Sequence, residues 1–416
     1  MTRRRRLVIV GASLSGLRAA EGARKAGFDG DIVLIGAESR LPYDRPPLSK
    51  AVLAGEESLL LRDTAHFIET LDVEVRLNAH ATGLDPDAGI VWVDSVPLEF
   101  DTLVIATGAV PRRAAPWHDE LDVYVLRTDE DALRLRAALE GARAITIIGA
   151  GFIGAEVASA ASKAGLDVTI VEAAPTPLQR ALGVTMGRQI SALHERNGVS
   201  LRLGVTVISL ERDANGRLEK VVLSDGVEVQ SDMVLVAIGA TPNTRWLTDS
   251  GIALSDDGAV LCESTLRSVS HPRIFAAGDV ARRRRSEDHS DTERLENWTS
   301  ANDQGFTAGR NAVSENLIPF DTVPYVWSDW YGHRIQMAGN TAGDEVSIVM
   351  GAPDQDRFVA LYASGATLVG ALAMNEPALI MKLRRQISDG VSWDSALEFV
   401  AEVAARRENA SRVNSG

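Results

Sequence analysis

Residues 7–50 read LVIVGASLSGLRAAEGARKAGFDGDIVLIGAESRLPYDRPPLSK, and this stretch decides the fold. Leu7-Val8-Ile9-Val10 is a short apolar run of the kind buried on both faces of a parallel sheet. Gly11-Ala12-Ser13-Leu14-Ser15-Gly16 follows as a tight turn, and an alanine-rich helix is predicted from there to Gly27. A second apolar run, Ile32 to Ile35, leads to Glu38. Strand, glycine turn, helix, strand and acid, in that order, make a dinucleotide-binding fingerprint. The turn aims backbone N–H groups and the positive helix end at a pyrophosphate, and the carboxylate accepts from ribose hydroxyls. Gly11, Ser13, Ser15, Gly16 and Glu38 are therefore candidate contacts. Ser13 stands where the pattern has its middle glycine, so a Cβ occupies the point of closest phosphate approach.

The same unit occurs a second time. Ala144 to Ile148 is the strand, Gly149-Ala150-Gly151-Phe152-Ile153-Gly154 the turn, and a helix runs to about Ala164. Gly165 ends it, and Leu166 to Val171 leads to Glu172. All three glycines are present here. Glu172 would repel a 2′-phosphate and so favours NADH over NADPH, while the nearby Arg180 pulls the other way. Two dinucleotide units require two dinucleotides. The economical assignment is a tightly held FAD on the first and a transient nicotinamide coenzyme on the second.

Working outward, Glu74 to Leu77 and Ile90 to Val93 suggest a small meander. Leu103-Val104-Ile105 ends on the small residues Ala106-Thr107-Gly108, which let a strand end approach a cofactor. Ile238-Gly239 echoes that strand end in the second unit, and Ile274 to Gly278-Asp279 returns the chain to the first. A helix is plausible from Leu295 to about Glu315. Beyond Pro319 aromatic residues cluster, β-like pieces follow, and two amphipathic helices precede a tail expected to fray after Arg406. The predicted fold class is α/β: two Rossmann-like dinucleotide-binding domains, the NAD domain (111–237) inserted in a discontinuous FAD domain (1–110 and 238–318), plus a C-terminal α+β domain (319–416).

The bulk properties exclude several alternatives. A net charge of −14 argues against general nucleic-acid binding, and no apolar run is long enough to span a bilayer. Arg3 to Arg6 precede an apolar run that breaks at Gly11, so a folded first strand is expected there rather than a secretory signal. The single cysteine, Cys262, allows no internal disulfide, redox pair or cysteine-ligated cluster. A cytoplasmic location follows by default. The seven histidines show no metal-ligand spacing, so no metal site is expected.

Pro42 to Lys50, Ala106-Thr107-Gly108-Ala109-Val110-Pro111-Arg112, Phe275 to Val280 and Tyr325-Val326-Trp327-Ser328-Asp329 together resemble the flavin-dependent ferredoxin reductases of bacterial oxygenase systems. The likeness covers essentially the whole chain; Ser13 and Trp330 are local departures. It implies hydride transfer from NADH to FAD, then single electrons to a [2Fe-2S] ferredoxin, or to a rubredoxin, serving a cytochrome P450 or Rieske oxygenase. A more distant likeness, to apoptosis-inducing factor, implies an NADH-responsive interaction protein instead. The resemblance places Lys50 at the flavin and pairs it with Glu156, which would hydrogen-bond the nicotinamide carboxamide. A solvated lysine and a helix-dipole carboxylate are the plainer readings. It adds Arg45, Ala81, Ala106, Thr107, Gly108, Arg127, Gly278, Asp279 and Trp298 to the FAD contacts. Gly149, Gly151, Phe152, Ile153, Gly154, Glu156, Glu172, Arg180, Ile238 and Gly239 form the NAD set. Trp298 also reads as a core tryptophan, and Trp327 as a path toward the partner or simply as packing. Arg282 to Arg285 is a solvated loop, or a basic patch that steers an acidic ferredoxin.

Overall fold

The computed structural model describes residues 4–113, 117, 120–285 and 292–414; Arg3 of the arginine run lies outside them. Contacts divide the chain into two compact units. The first comprises Met1–Pro46, Glu57–Pro111 and Ala240–Thr322; the second comprises Pro47–Glu56, Arg112–Gly239 and Val323–Gly416.

The first unit is built on a five-stranded parallel sheet in the order Ile274–Ala276, Thr102–Ile105, Arg6–Val10, Asp31–Ile35, Val73–Arg76. Its apolar runs are buried on both faces because strand side chains alternate. Val8, Val10, Val33, Ile35, Leu103 and Ile105 pack against Leu84, Val91 and Leu98 of a three-stranded antiparallel sheet. Leu7, Ile9, Ile32, Leu34 and Val104 face Leu17, Ala20 and Ala23 of the helix Leu14–Lys25 and Ala308 of the helix Trp298–Val313. Glycine lets these two helices touch: a Cβ on Gly305 would strike the Ser15 carbonyl, and one on Gly309 the Ala19 carbonyl.

Two expectations need correction here. Only Ala81–Asp85, Ile90–Val93 and Val96–Glu99 form the meander. Glu74 to Arg76 of the other piece instead lie in Val73–Arg76, the parallel edge strand beside Asp31–Ile35, which ends before Leu77. Nor is the arginine run a solvated loop, except at the exposed Arg285. Ala281–Arg284 is a strand paired with Val260–Cys262 and Thr292–Glu293, so alternate arginines turn inward. Arg283 is buried, ion-paired with Glu293, and donates to the Phe320 carbonyl at 2.8 Å. Arg282 is held by Asp257 at 2.9 Å. Much of the presumed basic patch is thereby neutralised.

The second unit carries its own parallel sheet, ordered Ser200–Leu203, Asp167–Glu172, Ala144–Ile148, Met233–Val236, Val123–Tyr124. The C-terminal stretch adds a five-stranded antiparallel sheet, Tyr325–Trp330, His333–Gly339, Thr367–Met374, Phe358–Ser364 and Glu345–Gly351 in spatial order. One face of that sheet (Trp330, Ile335, Phe358, Tyr362, Leu372) covers Leu182, Met186, Ile190 and Leu193 of the helix Gln179–Arg196. Its other face packs on the helices Pro377–Ser388 and Trp393–Asn414 through Leu379, Ile380, Leu383, Ala396 and Val400. The tail expected to fray after Arg406 is helical to Asn414, and Ser415 and Gly416 lie outside the described residues. Among the described residues no helix is long and apolar enough to cross a membrane.

Candidate active site

In the first unit, Gly11 has φ +118°, and a Cβ there would strike the Ala106 carbonyl, which explains glycine at the turn. Gly16 lies against the Gly11 carbonyl in the same way. Ser13 is the N-cap residue of the helix Leu14–Lys25 but makes no side-chain cap. Its hydroxyl instead accepts from Arg45 Nε at 3.1 Å. Arg45 also donates to Glu38 Oε1 at 2.6 Å, and Tyr43 Oη donates to Glu38 Oε2 at 2.6 Å. The Pro42 to Lys50 segment thus reaches the ribose-side acid and the glycine turn through a single arginine. Ser15 donates to the Ala301 carbonyl, and the Gly278 N–H to Gln304 Oε1 at 2.9 Å. Asp279 lies in the short turn Gly278–Val280, and its carbonyl accepts from Arg294. Trp298 donates to Asp44 Oδ1 at 2.8 Å. Thr107 and Gly108 are tied to Asn243, and Ala106 to the Val10 carbonyl. Ala81 opens the meander opposite Val93.

The second unit repeats this turn with the full glycine set. Gly149 (φ +104°) approaches the Ala237 carbonyl and Gly154 the Gly149 carbonyl. At Gly151 a Cβ would meet nothing nearer than 4.0 Å, so the middle glycine faces open space. Ile153 and Ile238 are exposed beside it, with Gly239 next in the chain and Phe152 half-buried. Glu172 accepts the Ala150 N–H at 2.9 Å and the Ala174 N–H at 2.8 Å. Arg180 is exposed on the helix Gln179–Arg196. The Arg127 backbone N–H donates to Asp131, in the capping box that opens the helix Asp129–Gly141.

That capped helix makes an instructive contrast. It starts with a Thr128/Asp131 box and three acids in its first turn, whereas the helices after Gly11 and Gly149 have neither a side-chain cap nor a first-turn acid. Their leading N–H groups and positive dipole ends are left for an anion, as a bound pyrophosphate would need. The residues fit dinucleotides on that ground.

Beside the second turn lies a buried polar hub. Glu156 is 8% exposed, and it begins the second turn of the helix Phe152–Lys163 rather than the first, so the helix-dipole explanation for it fails. Lys50 Nζ lies 3.0 Å from Glu156 Oε1 and 3.4 Å from Asp329 Oδ2. Ser328 donates to Glu156 Oε1 and Ser49 to Oε2. Trp330 Nε1 donates to Ser328 Oγ at 2.7 Å. Burial alone would raise the Asp329 carboxyl, but the Arg334 hydrogen bonds and the Lys50 charge outweigh it and hold it below the usual carboxylate range. Behind Trp330, His194 stacks at 5.3 Å between ring centres, with Nδ1 2.7 Å from Tyr331 Oη. Burial pulls the His194 imidazole down to about 4. Trp327 stacks on Tyr325 at 5.9 Å.

Ser49, Ser328, Asp329 and His194 were not singled out as site residues from sequence. Ser49 adjoins Lys50, and Ser328 and Asp329 end the Tyr325 to Asp329 stretch that carries the resemblance, but nothing local marks His194. Cys262 is fully buried and its thiol is pushed up to about 12 by burial, so it offers no thiolate nucleophile.

Residues 5–305 match the pyridine nucleotide-disulphide oxidoreductase family, and residues 325–404 match the reductase C-terminal family. The chain belongs to the pyridine nucleotide-disulphide oxidoreductases. Despite that family's name, this oxidoreductase has one cysteine and no dithiol. It is 35% identical over 394 residues to the ferredoxin–NAD(+) reductase component of the p-cumate 2,3-dioxygenase system of Pseudomonas putida, covering 94% of each chain. It is 32% identical to human apoptosis-inducing factor 3, with 92% of this chain aligned; the match spans 63% of that longer protein. Among solved structures it superimposes on the covalent putidaredoxin reductase–putidaredoxin complex with a TM-score of 0.88 at 28% identity, covering 97% of this chain and 100% of that one.

Proposed function

We propose that this flavoprotein is a ferredoxin–NAD(+) reductase: NADH delivers a hydride, and single electrons leave to a [2Fe-2S] ferredoxin that feeds a cytochrome P450 or Rieske oxygenase. The observation that carries the proposal is the pairing of two uncapped dinucleotide turns with a lone, buried cysteine. FAD, when bound, accepts electrons as a pair and releases them singly, so no dithiol relay is needed.

The residues then take these roles. Gly11, Ser13, Ser15 and Gly16 receive the FAD pyrophosphate, with Glu38 and Arg45 on its ribose side. Ala81, Ala106, Thr107, Gly108, Arg127, Gly278, Asp279 and Trp298 complete its contacts. Gly149, Gly151, Phe152, Ile153 and Gly154 receive the NADH pyrophosphate, flanked by Arg180, Ile238 and Gly239. Glu172, oriented by two backbone N–H groups, keeps acceptor positions for ribose hydroxyls and repels a 2′-phosphate. Glu156 accepts the nicotinamide carboxamide N–H, and Lys50 offsets charge beside it; their task is orientation rather than proton transfer. The domains proceed as 1–110 with 238–318, 111–237 and 319–416; the insertion is supported by the chain leaving the first unit after Pro111 and re-entering it at Ala240. We place the protein in the cytoplasm, where a single thiol stays reduced.

The test is NADH-driven cytochrome c reduction with and without candidate [2Fe-2S] ferredoxins. A rate that requires the ferredoxin and collapses with NADPH supports the assignment. Flavin reduction without ferredoxin acceleration overturns it. The identity with apoptosis-inducing factor 3 supports a second reading, a slow NADH-responsive interaction protein, which a long-lived charge-transfer band without turnover would favour.

A further inference from the structure

Trp330 is the largest fully buried side chain among the described residues, and its indole N–H, a donor only, ends on Ser328 Oγ. A hydroxyl has one proton. With the oxygen already accepting from the indole, the Ser328 proton is left for Glu156 Oε1. Lys50 Nζ takes a second position on the same oxygen, and Ser49 takes one on Oε2. A carboxylate offers about four acceptor sites in all. Among the described residues three are filled by this chain's own donors, and the open one is on Oε2.

We infer that Trp330 and Ser328 are positioning residues that fix the Glu156 carboxylate so that a single acceptor site, on Oε2, faces the substrate and selects a coenzyme ring bearing an amide N–H. The selection deepens the assignment above and rests on Glu156 accepting the carboxamide. His194 belongs to the same device: its neutral ring stacks on the indole face and holds the plane in which the indole N–H points. Ser328 is fully buried and Ser49 nearly so, which keeps water from substituting for either donor. Without Ser328, Oε1 regains an open site, the carboxylate turns toward Lys50, and Oε2 loses its aim.

Equilibrium titration of the purified holoprotein with NAD+ and with 3-acetylpyridine adenine dinucleotide tests this. The analogue keeps the ring carbonyl but has no N–H to donate. The native protein should bind NAD+ about tenfold or more tightly than the analogue, the span of a hydrogen bond to a charged acceptor. Ser328→Ala should bring the two affinities within about threefold of each other, less than the worth of one such bond. Trp330→Phe should move the ratio the same way, and the double variant should be no worse than Ser328→Ala alone, as expected for residues acting in series. A general loss of structure lowers both affinities together and leaves their ratio unmoved. If Glu156→Met abolishes the preference while Ser328→Ala keeps the native ratio, the positioning inference is overturned and the Glu156 assignment stands. If Glu156→Met also keeps the native ratio, both are overturned.

Discussion

Lys50 Nζ sits 3.0 Å from Glu156 Oε1, and the acid is the more deeply buried of the two, at 8% against 21% side-chain exposure. Removing the lysine therefore strands a carboxylate rather than a cation. Breaking a buried pair in this way costs about 3–5 kcal/mol when nothing replaces the lost partner. Ser49 and Ser328 still donate to Glu156, so Lys50→Met is expected to cost about 2 kcal/mol in denaturant unfolding. The double variant Lys50→Met with Glu156→Gln removes the stranded charge and should recover part of that loss. NADH-driven flavin reduction, followed by stopped flow, should slow at least about tenfold in Lys50→Met, equivalent to about 1.4 kcal/mol of barrier. A double variant less stable than Lys50→Met would show that the charge is not what the lysine offsets.

Glu172 should resist a simple coenzyme switch. Its carboxylate accepts the Ala150 and Ala174 N–H groups, so it shapes the glycine turn as well as offering acceptors to a ribose. Glu172→Ala is expected to narrow the preference for NADH over NADPH while raising KM for both by about tenfold or more, since two hydrogen bonds to a charged group are lost. Steady-state kinetics with both coenzymes separates these effects. If KM for NADPH falls below the native value for NADH, the turn does not depend on the carboxylate.

The two dinucleotide turns are legible in the sequence because backbone approach leaves few choices: Gly11, Gly16, Gly149 and Gly154 each face a carbonyl that a Cβ would strike. The Glu156 hub is not legible in the same way. Ser49 and Ser328 reach it from distant segments, and a serine carries no periodicity that announces a buried carboxylate nearby. Resemblance supplied Lys50 and Glu156 but could not supply Trp330, where this chain departs from the pattern. The misplaced Glu74 to Leu77 piece shows another limit, since a short strand does not encode its partner. The arginine run misled for a related reason: the inward turn of Arg283 depends on Glu293 and the Phe320 carbonyl, which only pairing brings near.

Helix contact in the first unit yields a stability test away from the chemistry. Gly309 lies against the Ala19 backbone, and backbone cannot swing aside as a side chain can. Gly309→Ala, although a better helix former by about 1 kcal/mol, is expected to destabilise by about 1–3 kcal/mol as the two helices are forced apart. Thermal unfolding of the holoprotein measures the sign. A net gain in Tm would mean that the helix pair is packed more loosely than its glycines indicate.

His194 should make the protein lose stability as pH falls below neutral. Its side chain is fully buried and its pKa lies at about 4 when folded, below the ordinary value near 6.5, because burial penalises the imidazolium. Between those two values the unfolded chain binds a proton that the folded protein refuses, so acid favours unfolding. The effect is absent above about pH 7, grows from about pH 6.5 downward, and levels off near pH 4, where the folded ring also takes up the proton. From pH 7 to pH 5 this one residue should remove about 2 kcal/mol. Tyr331 Oη can accept from a protonated Nδ1, yet Nε2 is buried with no partner among the described residues, which leaves the second imidazolium proton unsatisfied. His194→Phe keeps a ring against Trp330 and carries no charge, so its unfolding free energy should fall less over the same interval by about that amount. Equal falls for the native protein and the Phe variant in urea titrations at pH 7 and pH 5 would show that the ring protonates in place, and that other groups govern acid sensitivity.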